Sequence, residues 1–340
     1  MLSVSIDVGG TFTDAVAVDD ETGKVSVLKL ASTPRTPEKG FVKSLGSLLE
    51  RAACPPTKVS VLVHVSTIGG NLLLGQVGIR QPSCGLVTTK GFRDVIEIGR
   101  QNRPGLYDIG FRKPRPLVGR GARFEVEERT DSEGKITKRV RAGELEEIAS
   151  EIARSGIESV AIAFLNSFSN PTNERRAAAH IRRLTRLPVH ISAEVDPEYR
   201  EYERTSTTVV NAMLSPVFSS YLASAEDGAR ASGIRVPLQV LSSAGGLVDS
   251  QEARLRPILA IESGPAAGVV GAAQLARALG IVKAISFDMG GTTAKAGSIF
   301  EFRPLLVPEF EVGGRIIGGR AVKGSGYPVR TASIDLAEVS

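Results

Sequence analysis

Tryptophan is absent from this 340-residue chain, and aromatic residues make up only 5% of it. That leaves little material for the stacking platforms on which single-stranded nucleic acids lie. Cysteine is scarce as well. Cys54 and Cys84 form no CxxC pair, and two cysteines make no disulfide framework. With only three histidines beside them, no zinc spacing is present. No apolar run reaches the roughly 18 residues that a spanning helix needs. The opening MLSVSIDVGG lacks a basic leader and meets Asp7 early, so it does not read as a signal peptide. These absences point to a reducing, cytoplasmic setting with no membrane partner. The formal charge is 42 − 37 = +5. The basic residues are scattered, with no basic stripe and no reader motif, so no nucleic-acid partner is expected. The phosphate-cradling pattern GxxxxGK[ST] is also missing.

What the chain has is glycine, 36 residues of it, often in pairs. Strand and helix patterns alternate around these pairs. LSVSIDV, AVAVDD and VSVLKL read as three strands joined by tight turns. PEKGFVKSLGSLLERAA has helical spacing, with Pro37 at its start. VSVLVHVST, the end of IRQPSCGLVTT, SVAIAFLN, PVHISAEV and PLQVLSS read as further strands. RFEVEERTDSEGKITKRV reads as a hairpin with a DSEGK turn. Helices are expected at ELEEIASEIARSG, NERRAAAHIRRLT and IESGPAAGVVGAAQLARALG. A long amphipathic helix is expected over YREYERTSTTVVNAMLSPVFSSYLASAEDGARASG, and Pro216 is expected to bend or divide it. The alternation argues an α/β fold. We place one boundary near residue 190, giving regions 1–190 and 191–340.

One pattern occurs twice. DVGGTFTD occupies residues 7–14 and DMGGTTAK occupies residues 288–295. Each follows a β-rich run and leads into another strand. A glycine pair permits a tight turn and leaves backbone N–H groups exposed, and successive exposed N–H groups favour anions such as phosphate. An aspartate at the strand end can hold Mg²⁺ directly or through water. The alternative is a pair of ordinary hairpin turns, which the repetition disfavours. The candidate phosphate ligands are Gly9, Gly10, Thr11, Thr13, Gly290, Gly291, Thr292 and Thr293. Asp7 and Asp288 are the candidate metal and catalytic residues.

The two turns resemble the phosphate hairpins of the actin-like ATPase superfold (ribonuclease H-like), shared by sugar kinases and actin. ESGPAAGVVGAA, with Gly264 near its head, looks like the helix that connects the two domains of that fold. The likeness narrows over HVSTIGGNLLL, LVTTKGFRDVIEIGRQNRPGLYD, SAEVDPEYREYERTSTTVVNAMLSPV, ESGPAAG and FDMGGTTAKAG. Across nearly the whole chain these resemble the hydantoinase A / 5-oxoprolinase family. The resemblance implies ATP and Mg²⁺ as cofactors. It also implies a B-type subunit as partner, and a substrate that is a cyclic amide, an imide or a ketone. The implied reaction is phosphoryl transfer to a carbonyl before ring opening. A ketone carboxylase subunit, a small-molecule kinase of the same superfold and a nucleotide-switched assembly subunit are the alternatives. Many members read DMGGTSTD where this chain ends in Ala294–Lys295, so Lys295 is a candidate to meet phosphate instead. Members continue into an AGGGS segment beyond IDLAEVS, so the second domain is expected to be incomplete here.

Other residues carry competing readings. His64 follows a buried-looking strand and is either a catalytic group or a hydrogen-bonded interior histidine. His180 and His190 are expected at the surface or at a strand end. Arg93, Asp94, Glu97, Arg100 and Arg103 belong either to a salt-bridged surface segment or to a substrate-facing loop. Glu198, Arg200, Glu201, Glu203 and Arg204 are expected on a solvated helix face. Cys84 reads as a small packed residue.

Overall fold

The computed structural model describes residues 1–75, 80–102, 107, 109–289, 294–314, 316–317, 320–321 and 324–339. It divides into two compact units. Unit 1 comprises residues 1–80, 217–308 and 332–340, and unit 2 comprises residues 81–216 and 309–331. Each unit therefore draws on more than one stretch of chain, whereas the boundary near 190 divides the sequence linearly.

Unit 1 is built on a six-stranded sheet. Its strands run in the order Leu247–Asp249, Leu238–Leu241, Val59–Ser66, Leu2–Val8, Phe12–Asp19 and Val25–Ala31. Strand Leu2–Val8 alternates strictly, with Leu2, Val4, Ile6 and Val8 turned into the core. Helix Pro37–Ala52 covers that face. Pro37 stands in its first turn, where a missing N–H costs nothing. Phe41, Leu45, Leu48 and Leu49 recur at helical spacing and are buried against the sheet. Burying each such side chain stabilises by roughly 1.5–3 kcal/mol. Phe218, Tyr221, Leu222 and Ala225, from the later half of the long helix, close the same core.

A second sheet of unit 1 pairs Lys283–Met289 with Ala294–Phe300. Arg303–Pro304 and Leu336–Val339 complete it. Helix Ser263–Ala278 packs on it through Ala266, Val269 and Ala273, against Ile299 and Ile334. Small residues set that distance: a Cβ on Gly297 would stand 2.4 Å from Val269 Cγ2. Strand Lys283–Met289 lies at the edge, and its outward row Ile285, Phe287 and Met289 is exposed.

Unit 2 holds a four-stranded parallel sheet in the order Val189–Ile191, Ser159–Ala163, Cys84–Thr89 and Arg123–Val126. The two central strands are buried at every residue, as parallel strands covered on both faces are. Helices Ala142–Arg154 and Thr172–Thr185 bury Leu145, Ile148, Ile152, Ala177, Ala178 and Ile181 against it. Cys84 is packed in this sheet, and burial pushes its thiol up to about 12.

Three local expectations change. Arg123–Val126 joins the parallel sheet rather than the hairpin, which is confined to Arg129–Thr130 and Ile136–Lys138 around the DSEGK turn. The strand in PVHISAEV stops at Ile191, because Ser192–Val195 turns into a short helix. The long helix Glu201–Ala231 runs through Pro216 as one element, and that proline marks the division between the units.

The largest correction concerns Arg204. It is not on a solvated face but fully buried, and Glu203 is 4% exposed. The Arg204 guanidinium lies 3.7 Å from the buried Glu174 carboxylate and 3.1 Å from Glu201. It also donates to Phe164 O and to the hydroxyls of Ser167 and Ser192. Glu174 in turn accepts from both hydroxyls and from the N–H groups of Phe164 and Ala193. Such a pair persists in the interior because nearly every polar atom around it is satisfied.

Candidate active site

The first hairpin places three charges in one row. Asp7 faces away from the core side of Leu2–Val8, stands opposite Asp14 in the antiparallel register, and Asp14 stands opposite Lys29. Directly opposed residues share a face of the sheet. Lys29 Nζ binds both Asp14 oxygens, at 2.8 and 2.9 Å. Asp7 has no such partner. Its Oδ1 is buried, with no hydrogen bond among the described residues. Burial pushes the Asp7 carboxyl up to about 6, and the Asp14 and Asp288 charges push in the same direction. Asp288 is the penultimate residue of strand Lys283–Met289 and is exposed.

The turn between the strands is braced from one side. Gly9 N–H donates to Phe12 O at 3.0 Å, and Ser32 N–H donates to Thr11 O at 2.9 Å. Ser32 Oγ donates to Gly9 O at 2.7 Å, so the 3.0 Å contact with Thr13 is one in which the Thr13 hydroxyl donates. Thr13 is therefore buried in the brace and does not face a ligand, which corrects its assignment as a phosphate ligand. Ser32 is a supporting residue that the motif itself did not reveal. The Gly10 and Thr11 N–H groups have no acceptor among the described residues, and both residues are exposed. They form the open donor pair expected of a phosphate turn. Gly9 and Gly10 are not at positive φ. A Cβ on Gly9 would stand 3.0 Å from Phe12 O, so glycine there permits the tight turn, whereas a Cβ on Gly10 would meet only Asn71 Nδ2, at 3.6 Å, so glycine there gives access.

The rest of the surround comes from three further segments of unit 1. A Cβ on Gly264 would stand 2.8 Å from Thr67 Cγ2 and 3.8 Å from Asp7 Oδ1, so glycine there lets the head of helix Ser263–Ala278 approach the orphaned oxygen. Lys295 Nζ donates to Glu262 Oε2 at 2.5 Å, in a pair that is almost enclosed. Gly290, Gly291, Thr292 and Thr293 lie outside the described residues, as does Arg103.

His64 sits in the core of unit 1 rather than in this site. It is fully buried, with Phe41 and Tyr221 edge-on to its ring. Nδ1 is 3.2 Å from Ile6 O, which can only accept, so the proton is on Nδ1. Nε2 then accepts from the Tyr221 hydroxyl at 3.0 Å. Burial holds the ring down to about 4. With both nitrogens engaged and no solvent access, His64 fits the interior histidine and is corrected as a catalytic candidate. Tyr221→Phe is expected to leave Nε2 unsatisfied and cost about 1–3 kcal/mol, read as a lower denaturation midpoint with an unchanged slope.

In unit 2 the charged segment after Thr89 divides. Asp94 pairs with Arg120 and Arg123, Glu97 pairs with Arg123, and Arg93 lies 3.8 Å from Glu125. Those residues brace the surface. Arg100 instead bridges Glu203 and Glu309, at 2.7 and 2.5 Å. His190 is the middle residue of strand Val189–Ile191, Asn211 lies 3.0 Å from its Nδ1, and burial holds it down to about 4.

The fit to Mg²⁺ can be judged from the donors. Among the described residues no group of three or more ligating side chains makes a metal cage. Asp7 offers one buried, unpartnered carboxylate oxygen with the Asp288 charge nearby. That suits a cation that keeps most of its waters and takes one or two carboxylates.

Residues 3–185 match the hydantoinase/oxoprolinase N-terminal region, and residues 204–340 match the hydantoinase/oxoprolinase model. The chain belongs to the hydantoinase/oxoprolinase family. An uncharacterized protein of Methanocaldococcus jannaschii is 47% identical over 338 residues, covering 99% of this chain and 49% of that protein. The caprolactamase alpha subunit of Pseudomonas jessenii is 32% identical over 297 residues, covering 85% of this chain and 42% of the subunit. The solved ATP-dependent caprolactamase from that organism superposes with a TM-score of 0.81 at 28% identity, covering 99% of this chain and 48% of that one. Nucleotide-free acetone carboxylase superposes with a TM-score of 0.85 at 24% identity, covering 100% and 48%. The fold of this family member is thus the expected α/β, actin-like ATPase fold. The chain spans about half the length of the relatives it matches. Among the described residues no helix is long and apolar enough to cross a membrane.

Proposed function

We propose that this chain binds Mg²⁺·ATP at the first hairpin and serves an ATP-dependent enzyme that activates a cyclic amide carbonyl by phosphoryl transfer before ring opening. The observation that carries the reading is the buried Asp7 oxygen with no partner, set beside a turn whose Gly10 and Thr11 N–H groups are open. A protein retains an unpaired buried carboxylate at a cost in stability, and such groups gather at functional sites. The likeness to an ATP-dependent caprolactamase supports the amide as substrate class and a second, B-type subunit as partner.

Within this reading the residues have separate tasks. Gly10 and Thr11 donate to phosphate oxygens, and Ser32 and Thr13 fix the turn that presents them. Asp7 and Asp288 would hold Mg²⁺, which would neutralise charge on the phosphates. Gly264 keeps the helix head clear of Asp7. The substrate carbonyl oxygen attacks the terminal phosphorus, ADP leaves, and the activated carbonyl carbon becomes open to water. Gly290, Gly291, Thr292 and Thr293 are proposed to hold phosphate from the second turn.

Turnover of ATP by the chain together with its B-type partner, measured across lactams, hydantoins, oxoproline and ketones, tests this. Mg²⁺-dependent ADP release stimulated by a cyclic amide is expected. Stimulation by ketones alone, with bicarbonate, would replace the hydrolase reading with a carboxylase one. Gly10→Val supplies a second check. The site has room for a Cβ, so the fold should be retained, while the branched side chain blocks phosphate at the turn. Nucleotide affinity is expected to fall by at least about a hundredfold, two lost charge-assisted hydrogen bonds being worth roughly 3 kcal/mol or more. Undiminished binding by a folded Gly10→Val chain would remove the turn from the site.

A further inference from the structure

The two glycine turns stand on hairpins of the same register but in different surroundings, both within unit 1. In the first hairpin Asp7 lies opposite Asp14, and Ile6 lies opposite Ala15. In the second Asp288 lies opposite Lys295, and Phe287 lies opposite Ala296. The shared motif therefore sets Val4, Ile6 and Val8 in correspondence with Ile285, Phe287 and Met289. The first three are 1%, 0% and 2% exposed. Their counterparts are 75%, 68% and 72% exposed.

The difference lies in what covers each strand. Leu2–Val8 is paired on both edges, antiparallel with Phe12–Asp19 and parallel with Val59–Ser66. Helix Pro37–Ala52 lies over its apolar row, and the chain runs from that helix into Val59–Ser66 within a few residues. Lys283–Met289 has Ala294–Phe300 on one edge and, among the described residues, no strand on the other. Helix Ser263–Ala278 packs on the side of this sheet that carries Ala284. Residues alternate across a strand, so Ile285, Phe287 and Met289 lie on the opposite, open face. Phe300 stands opposite Lys283 and extends that apolar surface. An unpaired strand edge beside an exposed apolar row is a place where another polypeptide can add to a sheet. The first hairpin shows what such an addition consists of. The chain covers only 49% of the Methanocaldococcus jannaschii protein and 48% of the solved caprolactamase, so proteins of that length have the residues to supply it.

We propose that Lys283–Met289 is a docking edge for a helix-then-strand segment built as residues 37–66 are. Its strand runs parallel to Lys283–Met289, as Val59–Ser66 runs parallel to Leu2–Val8. Its amphipathic helix covers Ile285, Phe287 and Met289, as Phe41, Leu45 and Leu48 cover Val4, Ile6 and Val8. The occupant is the counterpart of the part of the longer relatives that this chain does not span. A second copy would bring the same edge strand rather than a helix and a strand. The interaction does not rest on nucleotide binding.

The test uses the full chain without nucleotide. Its probe is the segment of the Methanocaldococcus jannaschii relative that lies outside the match. That segment is supplied as a co-expressed second polypeptide and also as overlapping peptides as long as residues 37–66, so the result does not depend on how it folds. Amide hydrogen exchange is read along the chain. In the chain alone, residues 283–289 should exchange at least about tenfold faster than residues 2–8. The bound segment should slow them by about tenfold or more. Ile285→Thr/Phe287→Thr keeps strand propensity and should remove that protection. Both side chains are exposed, so the melting temperature of the chain alone should hold, whereas Val4→Thr/Ile6→Thr at the corresponding buried sites should lower it sharply. Asp7→Asn should leave the protection unchanged, which separates this edge from the nucleotide site. Binding by neither the co-expressed segment nor any peptide overturns the proposal. Binding that leaves residues 283–289 unprotected, or that survives in the folded double variant, overturns it too. A dimer of the chain alone that protects residues 283–289, seen by light scattering and exchange, overturns it by making a second copy the occupant.

Discussion

Asp7→Asn is expected to raise stability at neutral pH while removing Mg²⁺-dependent nucleotide chemistry. The carboxyl titrates at about 6 in the fold against 3.8 in the unfolded chain. A group whose folded value is raised stabilises the native state below the unfolded value, and that contribution is lost as pH rises through the folded value. At pH 7 the ionised Asp7 therefore costs about 1–3 kcal/mol, at 1.36 kcal/mol per pKa unit. Asparagine does not ionise, so the variant should gain that amount above pH 6 and nothing near pH 4. His64 works in the opposite sense. Its folded value is about 4 against 6.5, so its contribution is present above pH 6.5 and is lost as pH falls toward 4. His190 acts in the same direction as His64. In the native chain Asp7 offsets part of this acid sensitivity, and the variant should lose stability more steeply between pH 6.5 and 4. Urea midpoints across that range check the sign. A variant less stable than the native chain at pH 7 would contradict the unpaired carboxylate.

Arg204→Met is expected to be among the most destabilising single changes, at about 3–5 kcal/mol, because it strands Glu174 in the core of unit 2. Burial already raises the Glu174 carboxyl, and Arg204 is the largest influence holding it down. Without the guanidinium the carboxyl rises further, so the variant should recover part of its loss as pH falls. The double variant Arg204→Met/Glu174→Gln removes the buried charge altogether and should be more stable than Arg204→Met alone. Denaturation of the three proteins at pH 5 and pH 8 reads both effects. A loss below about 1 kcal/mol for Arg204→Met would show that the pair is solvated. A double variant no better than the single one would show that packing, not charge, carries the cost.

What could be read in advance follows from how local the physics is. Strand Leu2–Val8 was legible because its apolar residues alternate, and the same alternation put Asp7 at the strand end on the opposite face. Helix Pro37–Ala52 was legible from Pro37 and from the spacing of Phe41, Leu45 and Leu48. His64 was not, because the hydroxyl that satisfies it belongs to Tyr221, 157 residues away. The burial of Arg204 is hidden in the sequence for a related reason. In ERTSTT the buried face of the helix is made of hydroxyls and a guanidinium, so no apolar stripe marks it, and its partners Glu174, Ser167 and Ser192 come from other elements. The motif offers Thr13 as a ligand because it shows which residues follow the glycines but not which face they take. Strand alternation places it with Ala15 and Ala17, on the core side.

The orphaned oxygen of Asp7 is proposed to belong to a Mg²⁺·nucleotide site. Isothermal titration of a non-hydrolysable ATP analogue with Mg²⁺, into the native chain and into Asp7→Asn, tests it most directly. Mg²⁺-dependent binding by the native chain is expected, with at least about tenfold weaker binding by the variant, the loss of one charge-assisted contact of roughly 1.5–3 kcal/mol. Equal Mg²⁺-dependent affinity in the two proteins, with Asp7→Asn folded and as stable as expected, would contradict it.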